Sequence, residues 1–317
     1  MTIETITISE DDDGQRLDRW LKKNASDLPY VAIQKLLRKG QIRVNGKRAV
    51  GDARLKSGDL VRVPMGSKPP EVASRSTGRK DSAWLRQFLL FEDDDILAFN
   101  KPPGLAVQGG SGLTLHLEML MDDFVRRGVA PRLVHRLDRD TSGVLVLARS
   151  ARAARRLTEQ FSARETEKIY WALVSPMPRY DKGVITARLE KIQEGKQIEK
   201  IAVVDGLNGQ EAETEYRVLA RAVDHNVAWV EFMPRTGRTH QIRVHAAHIG
   251  APLLGDPKYG GDADKAKAVG GADRVHLHAA QLTLTHPRSG KSMTIQAPLP
   301  DDLVLSWRGF GFRASKE

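Results

Sequence analysis

Residues 134–148 read VHRLDRDTSGVLVLA: a run of ionisable side chains, a Thr-Ser-Gly turn, and then an apolar strand. A loop residue held at the end of a strand is well placed to project its side chain into a cleft. Asp138 occupies such a position. The same pattern also fits a capped turn, in which Asp138 and Asp140 satisfy loop N–H groups. Immediately downstream, Ser150 sits where an N-cap belongs and predicts a helix over 150–163.

Working outward, alternating and apolar runs predict strands at 95–99, 143–148, 168–174, 183–189, 212–221, 226–233, 276–285 and 291–297. Further helices are predicted at 113–127 and at 239–249, the latter closed by Gly250. Consecutive strands in such number imply much antiparallel pairing, so an α+β sheet is favoured over a doubly wound one. No internal repeat is visible.

The N-terminal part is different. Segments 16–24 (RLDRWLKKN) and 30–39 (YVAIQKLLRK) carry helical spacing, and Gly40 stops the second. QIRVNGKRAV then alternates up to Asn45-Gly46, a hairpin signal, and DLVRVP closes the unit. Lys35, Arg38, Lys39 and Arg43 cluster near the helix end and strand start. Residues 66–83 are rich in Gly, Pro, Ser and charge and read as a flexible linker, so the expected division is 1–65, 66–83 and 84–317.

Charge follows the same division. The whole chain of 317 residues carries +10, but residues 1–90 hold 18 Lys/Arg against 11 Asp/Glu (+7), and the rest 32 against 29 (+3). A positive field concentrated in an N-terminal unit suits docking to a polyanion. The absence of cysteine excludes disulfides, thiolate zinc sites and thiol nucleophiles, and agrees with a cytoplasmic protein. No apolar run is long enough to span a membrane, and the acidic start resembles neither a signal nor a transit peptide.

Two more segments carry chemistry-bearing residues. PRTGRTHQIRVHAAHIG at 234–250 places Arg243 on one helix face with Thr239, His240 and Ala247, and flanking apolar residues suggest a half-buried helix beside a site. KIYWALV at 168–174 puts Tyr170 and Ala172 on one face of a strand; taken singly, Tyr170 reads as a core or interface aromatic. PRSGKS at 287–292 lacks the first glycine of a phosphate loop and reads as a hairpin turn.

Taken together, HRLDRDTSG, K-x-Y-x-A-x-V at 168–174, TGRTHQIRVH at 236–245 and the earlier FNKPPGLAVQGGSG at 99–112 resemble the RluA/RluC/RluD-type family of large-subunit ribosomal RNA pseudouridine synthases. The RluC branch is the most similar, although Gln108, Ala251 and an apparent inserted loop at 262–274 depart from it. Residues 16–63 resemble the small S4 RNA-binding domain found ahead of many such catalytic domains. The resemblance implies an α+β protein: an S4-type α/β domain, then a catalytic domain on a mixed, mainly antiparallel sheet flanked by helices.

It also implies an isomerase that converts uridine to pseudouridine in ribosomal RNA, without cofactor or metal. Asp138, Tyr170 and Arg243 take the catalytic positions, with Arg243 as the expected partner of the Asp138 carboxylate. Arg136, His135, Arg238, His240 and Gln241 are the expected substrate contacts. Lys35, Arg38, Lys39 and Arg43 would hold RNA phosphates. A monomer is expected. The rival readings are another RNA target for the same chemistry, a non-catalytic RNA-binding or ribosome-assembly protein, and a metal-dependent phosphoesterase using His135, Asp138, Asp140, His240, His245 and His248. Against the last, His240 and His245 are five residues apart and poorly placed to share a metal from one helix face.

Overall fold

The computed structural model describes residues 2–24, 33, 36–65, 83–109, 116–126, 128–194, 198–206 and 208–313. Contacts divide the chain into two units, Met1–Lys80 and Asp81–Glu317. The linker expected at 66–83 lies outside the described residues except for Ala83, which opens a 3-10 turn, Ala83–Phe88.

In the first unit, helix α1 (Leu17–Asn24) buries Leu17, Trp20 and Leu21, one stripe at i, i+3 and i+4 spacing. Of the second expected helix, residue 33 and residues 36–38 are helical, and the others through 35 are outside the described set. Strands β1 (Thr2–Thr7), β2 (Arg43–Val44), β3 (Lys47–Arg48) and β4 (Leu60–Met65) form an antiparallel sheet in the order β1-β4-β2-β3. Asn45 and Gly46 both take positive φ, 50° and 76°, as a two-residue hairpin turn requires. Strand β1 was not among the expected elements. It pairs residue by residue with β4, and Val61 and Val63 of β4, with Ile8 just past β1, enter the core around Trp20.

The second unit is built on one eleven-stranded sheet. Its strands are β5 (Leu89–Glu92), β6 (Ile96–Lys101), β7 (Arg132–Leu133), β8 (Ser142–Ala148), β9 (Glu167–Val174), β10 (Lys182–Glu194), β11 (Ile198–Val204), β12 (Gln210–Ala222), β13 (Val227–Pro234), β14 (Leu277–Thr285) and β15 (Ser292–Gln296). The main path runs β11-β10-β12-β13-β9-β14-β8-β6-β5, with β15 paired to β14 and β7 to β8. Every pairing is antiparallel except β14 with β8, which are joined in parallel through His278↔Ser142 and Ala279↔Gly143. The sheet is therefore two antiparallel halves met at a short parallel seam.

Strand β8 is buried along its whole length because it is covered on both faces. Leu145 and Leu147 pack with Leu117, Leu120 and Phe124 on one side. Val144, Val146 and Ala148 pack on the other against Ala153 and Leu157 of helix α2 (Ala151–Ala163). Ser150 caps that helix, its Oγ accepting the Ala153 N–H at 3.1 Å. Helices α3 (Gln241–His248), α4 (Ala263–Ala268) and α5 (Asp301–Gly309) complete the unit. Among the described residues no helix is long and apolar enough to cross a membrane.

The helix expected at 113–127 is replaced, where described, by two 3-10 turns, Leu117–Leu120 and Asp122–Phe124. The N–H groups of Leu117 and Glu118 donate to the Ala106 and Val107 carbonyls, at 2.8 and 3.4 Å, and so tie the segment to a neighbouring loop. The stretch 262–274, expected to be an inserted loop, contains α4, capped by Asp262.

Candidate functional site

The acidic loop ends where the two halves of the sheet meet. Asp138 lies between β7 and β8, and Thr141 donates its N–H to the Asp138 carbonyl at 3.2 Å. Gly143, the last residue of the Thr-Ser-Gly turn, has φ 114°. A Cβ there would stand 2.2 Å from the Ala279 carbonyl oxygen. Only glycine permits the seam at this point. Across the sheet, Gly143 pairs with Ala279 and Ala279 with Tyr170, so Tyr170 is held two strands away, roughly 10 Å, from the start of β8.

From below, Lys101 fixes the loop. It is fully buried at the end of β6, and its Nζ donates to the carbonyls of Pro102, Leu105 and Arg139 at 2.8, 2.9 and 3.0 Å. Burial pulls its ammonium down to about 7, against the upward pull of Asp140 and Asp138. Residue type and position did not single out this lysine. Its only signal was membership of the FNKPPG stretch, where a lysine reads as solvated.

A cavity of about 390 Å³ opens beside this loop. It is lined by every residue of the second unit expected to act: Asp138, Tyr170, Arg243, Arg136, His135, Arg238, His240 and Gln241. The capped-turn alternative is not observed, because the Asp138 side chain accepts no loop N–H; its neighbour at 4.0 Å is His240 Nε2. Tyr170 is half-buried between two core clusters, and burial, reinforced by the Asp138 charge, pushes its phenol up. It therefore keeps its proton. Arg136 is exposed at the rim.

Two expectations need correction. Arg243 does not pair with Asp138: its Nε and Nη2 each donate to Asp256 at 2.7 Å, a bidentate pair with Asp256 fully buried. Burial lowers the guanidinium, yet the Asp256 hydrogen bonds and charge outweigh it, with Asp138 adding to them, and the net shift is upward. Gln241 is a clamp, with its amide donating to Glu213 O and Thr214 Oγ1 and its oxygen accepting from Thr236 Oγ1 and Arg238 N–H. No hydrogen-bonding capacity of its side chain is left for a ligand. His135 accepts the Val146 N–H on Nε2 at 2.8 Å and stacks on Phe161, which leaves Nδ1 as its one ring nitrogen open to a ligand. Burial first, then Lys168, brings it down to about 3.

Residues in and behind the cavity wall also went unread. Lys168 follows from the two-residue period of β9 that placed Tyr170, and it faces the same cavity. Burial, then Arg164 and Arg235, lowers its ammonium. Asp256 and Tyr259 stand in GDPKYGG, which carried no assigned role; Tyr259 Oη lies 2.8 Å from His240 Nδ1. In the first unit, Lys35 is outside the described residues. Lys39 is exposed, the Arg43 guanidinium donates to the Gly40 and Gly46 carbonyls, and the Arg38 carbonyl accepts from Arg48.

Among the described residues, the donors that a metal-dependent phosphoesterase would use do not gather in threes, although His240 stands beside Asp138. Among the described residues, ligand-type atoms come together only in Asp93, Asp95 and His286, away from the cavity. There Asp93 already bonds His286 and two backbone amides, and Asp95 bonds Arg288.

A mixed sheet with an acid, a phenol and a guanidinium around one cavity agrees with the comparisons to known proteins. Residues 95–248 match the RNA pseudouridylate synthase family, and the chain belongs to that family. It is 38% identical over 301 residues to ribosomal large subunit pseudouridine synthase C of Vibrio cholerae, covering 94% of this chain and 93% of that one. The protein of the same name from Escherichia coli strain K12 is 38% identical over 312 residues, 95% of each chain. Among solved structures, human RNA pseudouridylate synthase domain containing 4 superposes with a TM-score of 0.59 at 29% identity, covering 72% of this chain and 95% of that one.

Proposed function

We propose that the chain isomerises specific uridines to pseudouridine in large-subunit ribosomal RNA, with Asp138 as the catalytic carboxylate. In that reaction the bond from uracil N1 to ribose C1′ breaks, the base turns, and C5 bonds to C1′. One proton leaves C5 and one arrives at N1, so nothing is consumed and the chemistry calls for no cofactor. Both routes open to a carboxylate beside the sugar, attack on C1′ and removal of the C2′ proton, require it to face the flipped nucleotide.

The observation that carries the reading is the convergence of Asp138, Tyr170 and Arg243 on one cavity large enough for a base. Flipping the target out of its stack costs a few kcal/mol. Tyr170 lies against the extruded base, and Arg136, exposed at the rim, fills the vacated place in the stack. Arg243, anchored by Asp256, supplies fixed positive charge to a pocket that would otherwise disfavour a carboxylate. The basic first unit, with Lys35, Arg38, Lys39 and Arg43, holds phosphates. The name shared by the bacterial relatives supports the choice of RNA.

The test is Asp138→Asn, assayed by tritium release from RNA labelled at uridine C5. Turnover should disappear while the melting curve and RNA affinity stay within error of the parent. Residual turnover near the parent rate would remove Asp138 from the role.

A further inference from the structure

His240 is the N-cap of α3 and holds φ 54° and ψ 20°, a left-handed conformation uncommon for a side-chain-bearing residue. Both ring nitrogens have defined neighbours. Nδ1 is 2.8 Å from Tyr259 Oη, and Nε2 is 4.0 Å from Asp138 Oδ2. The same phenol oxygen accepts the Ile201 N–H at 3.3 Å.

These contacts decide where the imidazole proton sits. With its oxygen already accepting from Ile201, Tyr259 satisfies its own O–H by donating to Nδ1. The opposite arrangement, Nδ1–H donating to the phenol, would leave the phenolic hydrogen without an acceptor among the described residues. Nδ1 is therefore the acceptor and Nε2 carries the hydrogen, on the side facing Asp138. The charged groups facing the ring are Asp138 and Asp256 on one hand and Arg243 and Lys258 on the other. Burial lowers the imidazole, so it stays neutral, and burial raises the Tyr259 phenol, so it stays a donor.

Tyr259 is itself rigidly held. Asp256, while gripping Arg243, accepts the N–H groups of Lys258 and Tyr259 at 2.9 and 3.3 Å. The Arg243 guanidinium stacks 5.1 Å from the Tyr259 ring centroid. One short turn, 256–259, thus fixes both the cation and the phenol, and it lies beyond the segment matched to the family.

We propose that Tyr259 and His240 are a positioning pair, in which the Tyr259 hydroxyl sets the His240 tautomer and the resulting Nε2–H orients the Asp138 carboxylate for isomerisation. The proposal rests on Asp138 being the catalytic carboxylate. The 4.0 Å gap needs to shorten by only about 1 Å to become a charge-assisted hydrogen bond, and such contacts commonly tighten when substrate binds.

Tyr259→Phe in the full chain tests it, because phenylalanine keeps the ring against Arg243 and removes only the hydroxyl. Expected is a kcat lowered on the order of 10- to 100-fold with KM within roughly twofold. Nitrogen-15 spectra of labelled histidine should show the Nε2–H tautomer of His240 in the parent and its loss in the variant. His240→Ala should cost as much, and the double variant no more than either single. His240→Gln, whose amide nitrogen falls near the place of Nε2, should recover most of the rate.

A parental kcat in Tyr259→Phe overturns the proposal, as does an unchanged tautomer. If that variant does not fold, the comparison of His240→Ala with His240→Gln decides: equal rates overturn the pairing. Asp138→Asn separates the two levels of inference. Turnover in Asp138→Asn sinks the reading of Asp138 itself, whereas an inactive Asp138→Asn beside fully active Tyr259→Phe and His240→Ala sinks the positioning pair alone.

Discussion

Asp256→Ala removes the carboxylate from a pair in which the acid is fully buried and the guanidinium 7% exposed, with two 2.7 Å hydrogen bonds between them. The arginine cannot relieve the loss by deprotonating, since its titration lies far above any working pH. It is left charged in a wall of the cavity, and breaking one side of such a pair costs about 3–5 kcal/mol. The unit affected spans 237 residues, Asp81–Glu317. For that size 1 kcal/mol corresponds to about 2–4 °C, so the melting temperature should fall by roughly 6–20 °C. Thermal denaturation followed by circular dichroism reads this directly. The loss should persist at high salt, because a pair closed off from solvent is poorly screened. Arg243→Ala should cost a similar amount, and the double variant clearly less than the two singles together, since it strands no charge. A melting temperature within about 2 °C of the parent for Asp256→Ala, or singles that simply add, would refute the reasoning.

Gly143→Ala should lower both melting temperature and turnover, because the added Cβ meets the Ala279 carbonyl at 2.2 Å and the backbone sits at φ 114°; a parental melt would show that the seam relaxes freely. Acid should destabilise the fold below pH 6.5. His135 is held down to about 3, and His245, His276 and His278 to about 4, by burial in every case, so the unfolded chain binds more protons throughout that window and stability falls as pH drops. Urea titrations near pH 5 should reveal uptake of about four protons on unfolding, and a stability independent of pH from 6.5 to 4.5 would contradict the assignment. Deleting residues 1–66 should weaken RNA binding and flatten its salt dependence in filter-binding assays; an unchanged slope would take the first unit out of phosphate contact.

Local signals carried most of the fold. Ser150 announced α2, Asn45-Gly46 the first hairpin, and the apolar run of β8 its central place. What failed was non-local. The spacing of Leu117, Leu120 and Phe124 suggested one helix, but carbonyls of residues 106 and 107 captured the N–H groups that a helix would have used. Helix α5 was legible in principle, with Pro300 as N-cap, two acids in the first turn, and Leu303, Val304 and Trp307 on one side. At the site, the family resemblance carried by the ordered motifs grouped Asp138, Tyr170 and Arg243, whereas taken singly Tyr170 read as a core aromatic. The partner of Arg243 could not be read from type alone, since two acids of equal chemistry compete for one fork and only three-dimensional placement separates them. Lys101 escaped for a similar reason: nothing in NKPPG says that its side chain turns inward onto three carbonyls.

The parallel seam has a mechanical consequence. Asp138 approaches from the strand on one side of it, while Tyr170 and, through α3, His240 and Arg243 belong to the other. Two registered residue pairs form the strand ladder there, braced by Ser142 Oγ against His278 Nδ1 at 3.0 Å and by the Gln160 side chain on the Thr285 backbone, so a sliding of one half against the other would change the spacing between the acid and the groups that face it. Probes attached across this line, one on each half, would act as a strain gauge for the reactive centre without touching it.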